Sequence, residues 1–463
     1  MVSPPSPSSS SSSSGLLTVN RYEPELISPA GDTPRELKPL SDLDGQDWLR
    51  FMLPLLLFYP QSPSMKGRED PARVVKEALA KALVYYYPLA GRIREGPDCK
   101  LGVDCTGEGI LFVEADADVS LQELGDSMKP PCGFVNEVLC DVAGSGGIIG
   151  CPLLSVTRLK CGGFILGIRL NHAISNSVGL KQFLEAAAEL ACGASVLSQP
   201  PVWRREILKA RDPPRVTCTH PEFEDTVDAG SAVAMSDLTN MAHGSFFFGP
   251  REVASIKKRL PQHLLPKCST FELVTACLWK CRTIALEVEP DDVVRLSCVI
   301  NARGLNVPRG YYGSTSVKAM VLSKAGHLCT SPLGYAVELV KKAKEMVSEE
   351  YVRSFIDASV IKGGPNHTTV WDYVVADTTK VGFEAVDFGW GKPVYGGVAG
   401  AVPSISIYVK YKTREGEEGI VAAIMLPERA MRRFQEELEK MTDKGTVSED
   451  QYGVDSSMIR SKL

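Results

Sequence analysis

Asp387-Phe388-Gly389-Trp390-Gly391 is an unusual pentapeptide, and Lys392-Pro393 follow it directly. Two glycines beside a large aromatic suit a tight turn, with the glycines in backbone conformations closed to other residues and Trp390 packed inward. Downstream, Ser404 to Lys412 and Gly419 to Leu426 read as paired strands turning through Gly416-Glu417-Glu418-Gly419. Upstream, Leu333 to Met346 has helical spacing and Arg295 to Asn301 reads as a strand. A helix over Ser269 to Ala285 starts at Ser269 or Thr270, with Glu272 placed to complete a capping box. A strand over Gly244 to Phe248 and a helix from near Arg251 begin this half of the chain.

The first half has the same mixed character. Ala72 to Tyr86 is apolar at helical spacing and ends at Pro88-Leu89-Ala90-Gly91-Arg92. Ile110 to Glu114 and Pro152 to Arg158 read as strands. Phe164 to Leu170 is a continuous apolar run around Arg169, as in a buried strand, and Val178 to Ala191 is an amphipathic helix. Between these two lies Asn171-His172-Ala173-Ile174-Ser175-Asn176. A neutral imidazole at a strand end can take a proton from a hydroxyl and pass it on. A lone histidine there is also compatible with a purely structural role. No G-x-S-x-G motif accompanies it, which favours direct transfer over a covalent intermediate. The Gly144-Ser145-Gly146-Gly147 run is out of register for a dinucleotide loop and reads as a hairpin or flexible loop.

At 463 residues the chain is long enough for two domains of roughly 200 residues each. We place a disordered Ser/Pro-rich tail at 1–18, a first domain carrying His172 at 19–196, and a Pro-rich crossover at 197–240. A second domain follows at 241–455, with part of 365–403 allowed to pack on the first, and an exposed tail at 456–463. Neither half alternates strictly as βαβ, so the fold class is α+β with a cleft between two layers. A net charge of −5 gives no reason to bind nucleic acid. Thirteen cysteines include no C-x-x-C pair and fit free thiols; Cys277 and Cys281 read as core thiols in a helix. Six scattered histidines offer no metal site. The apolar run Phe51 to Tyr59 is broken by Pro54 and too short to cross a bilayer. The terminal Ser461-Lys462-Leu463 is the tripeptide read by the peroxisomal import receptor.

With the 387–391 motif in hand, the chain resembles the plant acyl-CoA-dependent acyltransferases known as BAHD, over nearly its full length. Supporting segments are Tyr87-Pro88-Leu89-Ala90-Gly91-Arg92, Asn301-Ala302-Arg303-Gly304 and Gly310-Tyr311-Tyr312-Gly313. Two longer stretches, Arg211 to His220 and Ser269 to Leu286, look like the alcohol benzoyltransferase branch. The resemblance implies two chloramphenicol-acetyltransferase-like domains with a channel between them, entered by CoA from one face and by the alcohol from the other. His172 would be the general base midway. Asp387, counted among the candidate catalytic residues, would instead support the fold with Phe388, Gly389, Trp390 and Gly391. The implied reaction moves a benzoyl group from benzoyl-CoA, a co-substrate rather than a resident cofactor, to benzyl alcohol or a similar alcohol. A monomer with no metal and no membrane partner is expected. For CoA phosphates the candidates are Lys267, Ser269 and Thr270 at a helix start, where plain helix capping is an equal reading.

The family pattern has Asp where this chain has Asn176. In the family that Asp pairs with an arginine, for which Arg303 is the candidate here. Breaking a buried pair outright costs on the order of 3–5 kcal/mol, and Asn, keeping one acceptor, loses less. Misplacing a base by about 1 Å costs roughly a hundredfold in rate. The expectation is therefore impaired but not necessarily abolished turnover, with an inactive acyl-CoA-binding or partner-binding member as the alternative.

Overall fold

The structure is a computed structural model that describes residues 11–442, apart from 14, 16, 63–69, 97–98, 143–149, 225–239, 303–306, 365–370 and 403. The Gly144–Gly147 run, Arg303 and the terminal tripeptide therefore lie outside the described residues.

Two large sheets organise the chain. The first contains β1 (Ser11–Ser13), β2 (Thr18–Arg21), β3 (Glu25–Ile27), β5 (Met52–Tyr59), β8 (Ile110–Ala117), β9 (Leu153–Leu159), β10 (Phe164–Asn171) and β15 (Tyr395–Val398). Its order is β1-β2-β8-β9-β10-β5-β15, with β3 also paired to β8. The second runs β11 (Met241–Phe248), β17 (Glu418–Pro427), β16 (Ile405–Lys412), β14 (Asp372–Asp377), β12 (Val293–Asn301), β13 (Ser316–Lys324). A small third sheet joins β4 (Leu37–Pro39), β7 (Leu101–Asp104) and β6 (Arg92–Glu95) in that order. The disorder expected of 1–18 does not cover all of it, because Ser11–Ser13 pairs antiparallel with Thr18–Asn20. Ladder hydrogen bonds use the backbone, so a serine run can occupy a sheet edge.

Helices α1 (Pro71–Tyr85) and α4 (Ser177–Ala191) belong to the first half, with the single turns α2 (Leu121–Leu124) and α3 (Val135–Val138). The second half carries α5 (Pro250–Lys257), α6 (Thr270–Ala285), α7 (Ala325–Thr330), α8 (Leu333–Glu345), α9 (Glu349–Lys362) and α10 (Glu428–Thr442). Each half has its own core. Helix α6 buries Leu273, Val274, Cys277, Leu278, Trp279 and Cys281, so the two thiols of the apolar helix are core residues.

The halves also exchange pieces. Strand β15 comes from the second half of the sequence yet pairs with β5 of the first sheet, from Tyr395↔Phe58 to Val398↔Leu55. Phe383, Val386, Phe388, Trp390 and Tyr395 accompany it into the first core. In return, Leu43 sits in the second core.

Strand β5 is the element that the Phe51–Tyr59 run concealed. It pairs along its whole length with β10, Pro54 facing Arg169. Proline is rare inside sheets because it removes a ladder donor. Here the Pro54 carbonyl accepts from Ala399 at 3.1 Å, so its missing N–H faces the β15 side. On that side the β15 pairing stops at Leu55, so the loss falls where the ladder ends.

Candidate active site

Strand β10, central between β9 and β5, delivers the chain to a five-residue loop and then to α4. The loop is tied at every residue. The His172 amide donates to the Phe51 carbonyl at 2.9 Å, extending the β5–β10 ladder by one bond. Asn171 Oδ1 accepts from the Ala173 amide at 2.9 Å. Arg205 Nη2 donates to the Ile174 carbonyl at 2.8 Å. Ser175 Oγ donates to the Tyr312 carbonyl at 2.8 Å. Asn176 Oδ1 accepts from the Gly179 amide at 3.0 Å and so caps α4.

His172 is half-buried as a residue, but its Nδ1 is enclosed and has no hydrogen-bond partner among the described residues. Its ring stacks on Phe51, centroids 5.2 Å apart and planes 29° apart. Burial pushes its pKa down to about 4, against a smaller upward pull from its own backbone carbonyl. The imidazole is thus held neutral at physiological pH, the form able to accept a proton.

The 310–314 loop of the second half closes against this segment. A Cβ on Gly179 would sit 2.0 Å from the Tyr312 carbonyl oxygen, so only glycine lets the first turn of α4 approach that closely. Beneath the loop lies Arg205, 1% exposed, whose Nη1 donates to Asp44 Oδ2 at 2.8 Å. Asp44, fully buried, accepts from the Ser314 amide at 2.9 Å and from Ser41 Oγ at 2.6 Å. The guanidinium carbon stands 4.3 Å from the centroid of Trp203 and 5.2 and 5.3 Å from those of Tyr311 and Tyr312.

Asp387 is elsewhere. Its Oδ1 accepts from the amides of Gly389 and Gly391, both at 2.8 Å, and those glycines have φ of 102° and 89°. Trp390 meets Phe164 edge-on at 5.6 Å, and Phe164 stacks on Tyr59 at 4.5 Å. Phe164 begins β10 and Asn171 ends it, so the motif sits roughly 23 Å along the strand from the His172 loop. Asp387 shapes a turn and does not reach His172.

Of the helix-start candidates, Ser269 forms the cap of α6. Ser269 Oγ accepts from the Glu272 amide at 3.3 Å, while the Ser269 amide donates to Glu272 Oε2 at 2.9 Å. Glu272 pairs in turn with Lys344. The start of α6 therefore already faces its own carboxylate, with Lys267 and Thr270 exposed beside it.

Arg205, Asp44 and Phe51 were not evident in the sequence. Neither was Lys318, buried on β13 with its ammonium 4.3 Å from the centroid of Trp48. Burial lowers the Lys318 pKa to about 7, opposed by the nearby carboxylates of Glu222 and Asp372. A second constellation imitates a nucleophilic triad: Ser354 Oγ lies 2.9 Å from His220 Nε2, and His220 Nδ1 lies 2.9 Å from Glu222 Oε1. All three are buried, and Ser354 Oγ also accepts from the amides of Thr217 and Cys218, both at 2.9 Å. That geometry fastens the crossover to α9 and closes all three side chains to solvent.

Residues 17–441 match the Transferase family. The chain is 52% identical over 444 residues to the benzyl alcohol O-benzoyltransferase of Petunia hybrida, covering 94% of this chain and 95% of that one. It is 52% identical over 435 residues to alcohol acyl transferase 1 allele GSa of Malus domestica, covering 92% and 95%. The chain is a BAHD acyltransferase. Among solved structures this BAHD chain is similar in fold to vinorine synthase, with a TM-score of 0.71, 21% identity, and coverage of 91% of this chain and 98% of that one. A crystal structure of F. graminearum TRI101 with coenzyme A and T-2 mycotoxin gives a TM-score of 0.69 at 17% identity, covering 87% and 97%. As a BAHD enzyme it is an acyl-CoA-dependent acyltransferase that transfers an acyl group from CoA to an alcohol.

Proposed function

We propose that this acyltransferase moves a benzoyl group from benzoyl-CoA to benzyl alcohol, giving benzyl benzoate, with His172 as general base. The observation that carries the reading is the neutral, enclosed ring of His172 at the end of β10. With Nδ1 turned inward, the proton is exchanged at Nε2. The alcohol O–H gives its proton to Nε2 as its oxygen bonds to the thioester carbonyl carbon. The tetrahedral intermediate then collapses, the C–S bond breaks, and the imidazolium returns the proton to the departing CoA sulfur. Acyl-CoA enters as a co-substrate, and no resident cofactor or metal takes part.

Support for the benzoyl donor and benzyl acceptor comes from relatives in Petunia hybrida and Nicotiana tabacum, 52% and 51% identical, that carry this activity in their names. Relatives at equal identity are named only as alcohol acyltransferases, so acceptor choice rests on pocket shape, worth about 1–3 kcal/mol per methylene. We place the enzyme in the peroxisome as a monomer, the location on the strength of Ser461-Lys462-Leu463. The test is a panel of acyl-CoAs and alcohols with free thiol and ester both measured. Benzoyl-CoA with benzyl alcohol should give the highest kcat/KM, and a clear preference for an aliphatic pair would contradict the assignment. Asn176 favours one second reading, a member that binds acyl-CoA without turning it over. Binding that persists with no thiol release, before and after Asn176→Asp, would establish it.

A further inference from the structure

The His172 loop takes a cation from an unexpected quarter. Arg205 comes from the crossover, far from the family motifs in sequence, yet its fork reaches the Ile174 carbonyl with one nitrogen and Asp44 with the other, both at 2.8 Å. The pair is walled in on all sides. Arg205 and Asp44 are 1% and 0% exposed, three aromatic rings surround the guanidinium, and a Cβ on Gly313 would lie 1.7 Å from Nη1. Asp44 extends the tie to the second half by accepting from the Ser314 amide at 2.9 Å. Four segments, 41–44, 174, 205 and 313–314, thus meet on one ion pair two residues from the proposed base.

We propose that Arg205, oriented by Asp44, is a positioning residue for the acyl transfer, fixing the loop that carries His172 against the second half of the molecule. The proposal rests on the reading of His172 as the base. The planar fork is what the job requires. A carbonyl on one side and a carboxylate on the other need two donors in fixed relation, which an ammonium does not supply. Asn176 has no charge, and its side-chain oxygen is committed to the α4 cap. The charged hold on the loop seen in the described residues therefore lies at position 174.

The test compares Arg205→Met, Arg205→Lys and the double variant Arg205→Met with Asp44→Asn, as full-length purified proteins. Arg205→Met should lower kcat by on the order of a hundredfold, the effect of misplacing a base by about 1 Å, while KM for acyl-CoA moves little. The acid limb of its pH profile should rise toward the ordinary histidine value, because a loosened loop admits water to the ring. Arg205→Lys should recover part of kcat. The double variant removes both buried charges together and keeps the proposal testable if Arg205→Met does not fold. It should regain folding but not kcat, since the Ile174 carbonyl still lacks its donor. Wild-type kcat and an unmoved acid limb in a folded double variant would overturn the proposal. Full turnover by His172→Ala would instead overturn the reading of the base, whatever Arg205 does.

Discussion

Asn176 Oδ1 accepts the Gly179 amide at 3.0 Å, so the residue standing where the family pattern has Asp caps the helix that follows His172. Asn and Asp are nearly equal as helix N-caps. Asn176→Ala should destabilise the protein by about 1 kcal/mol in a denaturant titration. Asn176→Asp keeps the cap, and the helix dipole favours its charge while burial opposes it. We expect it to raise turnover by less than about tenfold, the equivalent of about 1.4 kcal/mol in barrier. A larger gain would mean that charge at 176 does more than capping.

The pH dependence of kcat/KM should carry the signature of an enclosed base. With His172 as the proposed base, protonation below its pKa leaves no lone pair to offer, so activity should fall on the acid side. Burial sets that pKa at about 4, so the acid limb should lie well below the ordinary 6.5. Activity should stay flat through pH 6. A limb centred at 6.5 would place the titrating group in water.

Asp387 should matter for stability and not for chemistry. Removing the acceptor of two amide hydrogen bonds in Asp387→Ala should cost about 1–3 kcal/mol. Turnover per folded molecule should remain within about threefold of the parent, because the turn packs on the Phe164 end of β10. Active-site titration alongside thermal unfolding separates the two effects.

Lys318 links stability to pH. Its folded-state pKa of about 7 lies below the ordinary 10.5, so between those values the folded protein binds fewer protons than the unfolded chain. Stability therefore rises with pH through that window, and the cost of the buried ammonium is fully present below about 7. Lys318→Met should raise Tm more at pH 6 than at pH 9. An equal shift at both would show that Lys318 keeps its ordinary pKa.

Much of this was legible in the chain and some was not, for physical reasons. The apolar run into His172 and the periodicity of α4 and α6 are local signals, and both helices and β10 fall where that periodicity predicts. Strand β5 was hidden because Pro54 argues against a central strand, and only the register of β15 shows why it is tolerated. Arg205 was hidden because its partners at 44 and 174 are brought together by the tertiary fold alone. One arginine among several in a Pro-rich crossover carries no periodic mark. The cost assigned to Asn176 rested on Arg303, which lies outside the described residues, whereas the cap it forms needed the start of α4 to be known to the residue.

The most direct measurement is parallel release of free CoA thiol and formation of benzyl benzoate by the full chain and by His172→Ala. The expected result is equimolar thiol and ester from the parent and the loss of nearly all turnover in the variant. Turnover in His172→Ala equal to that of the parent, or none from the parent and from Asn176→Asp alike, would contradict it.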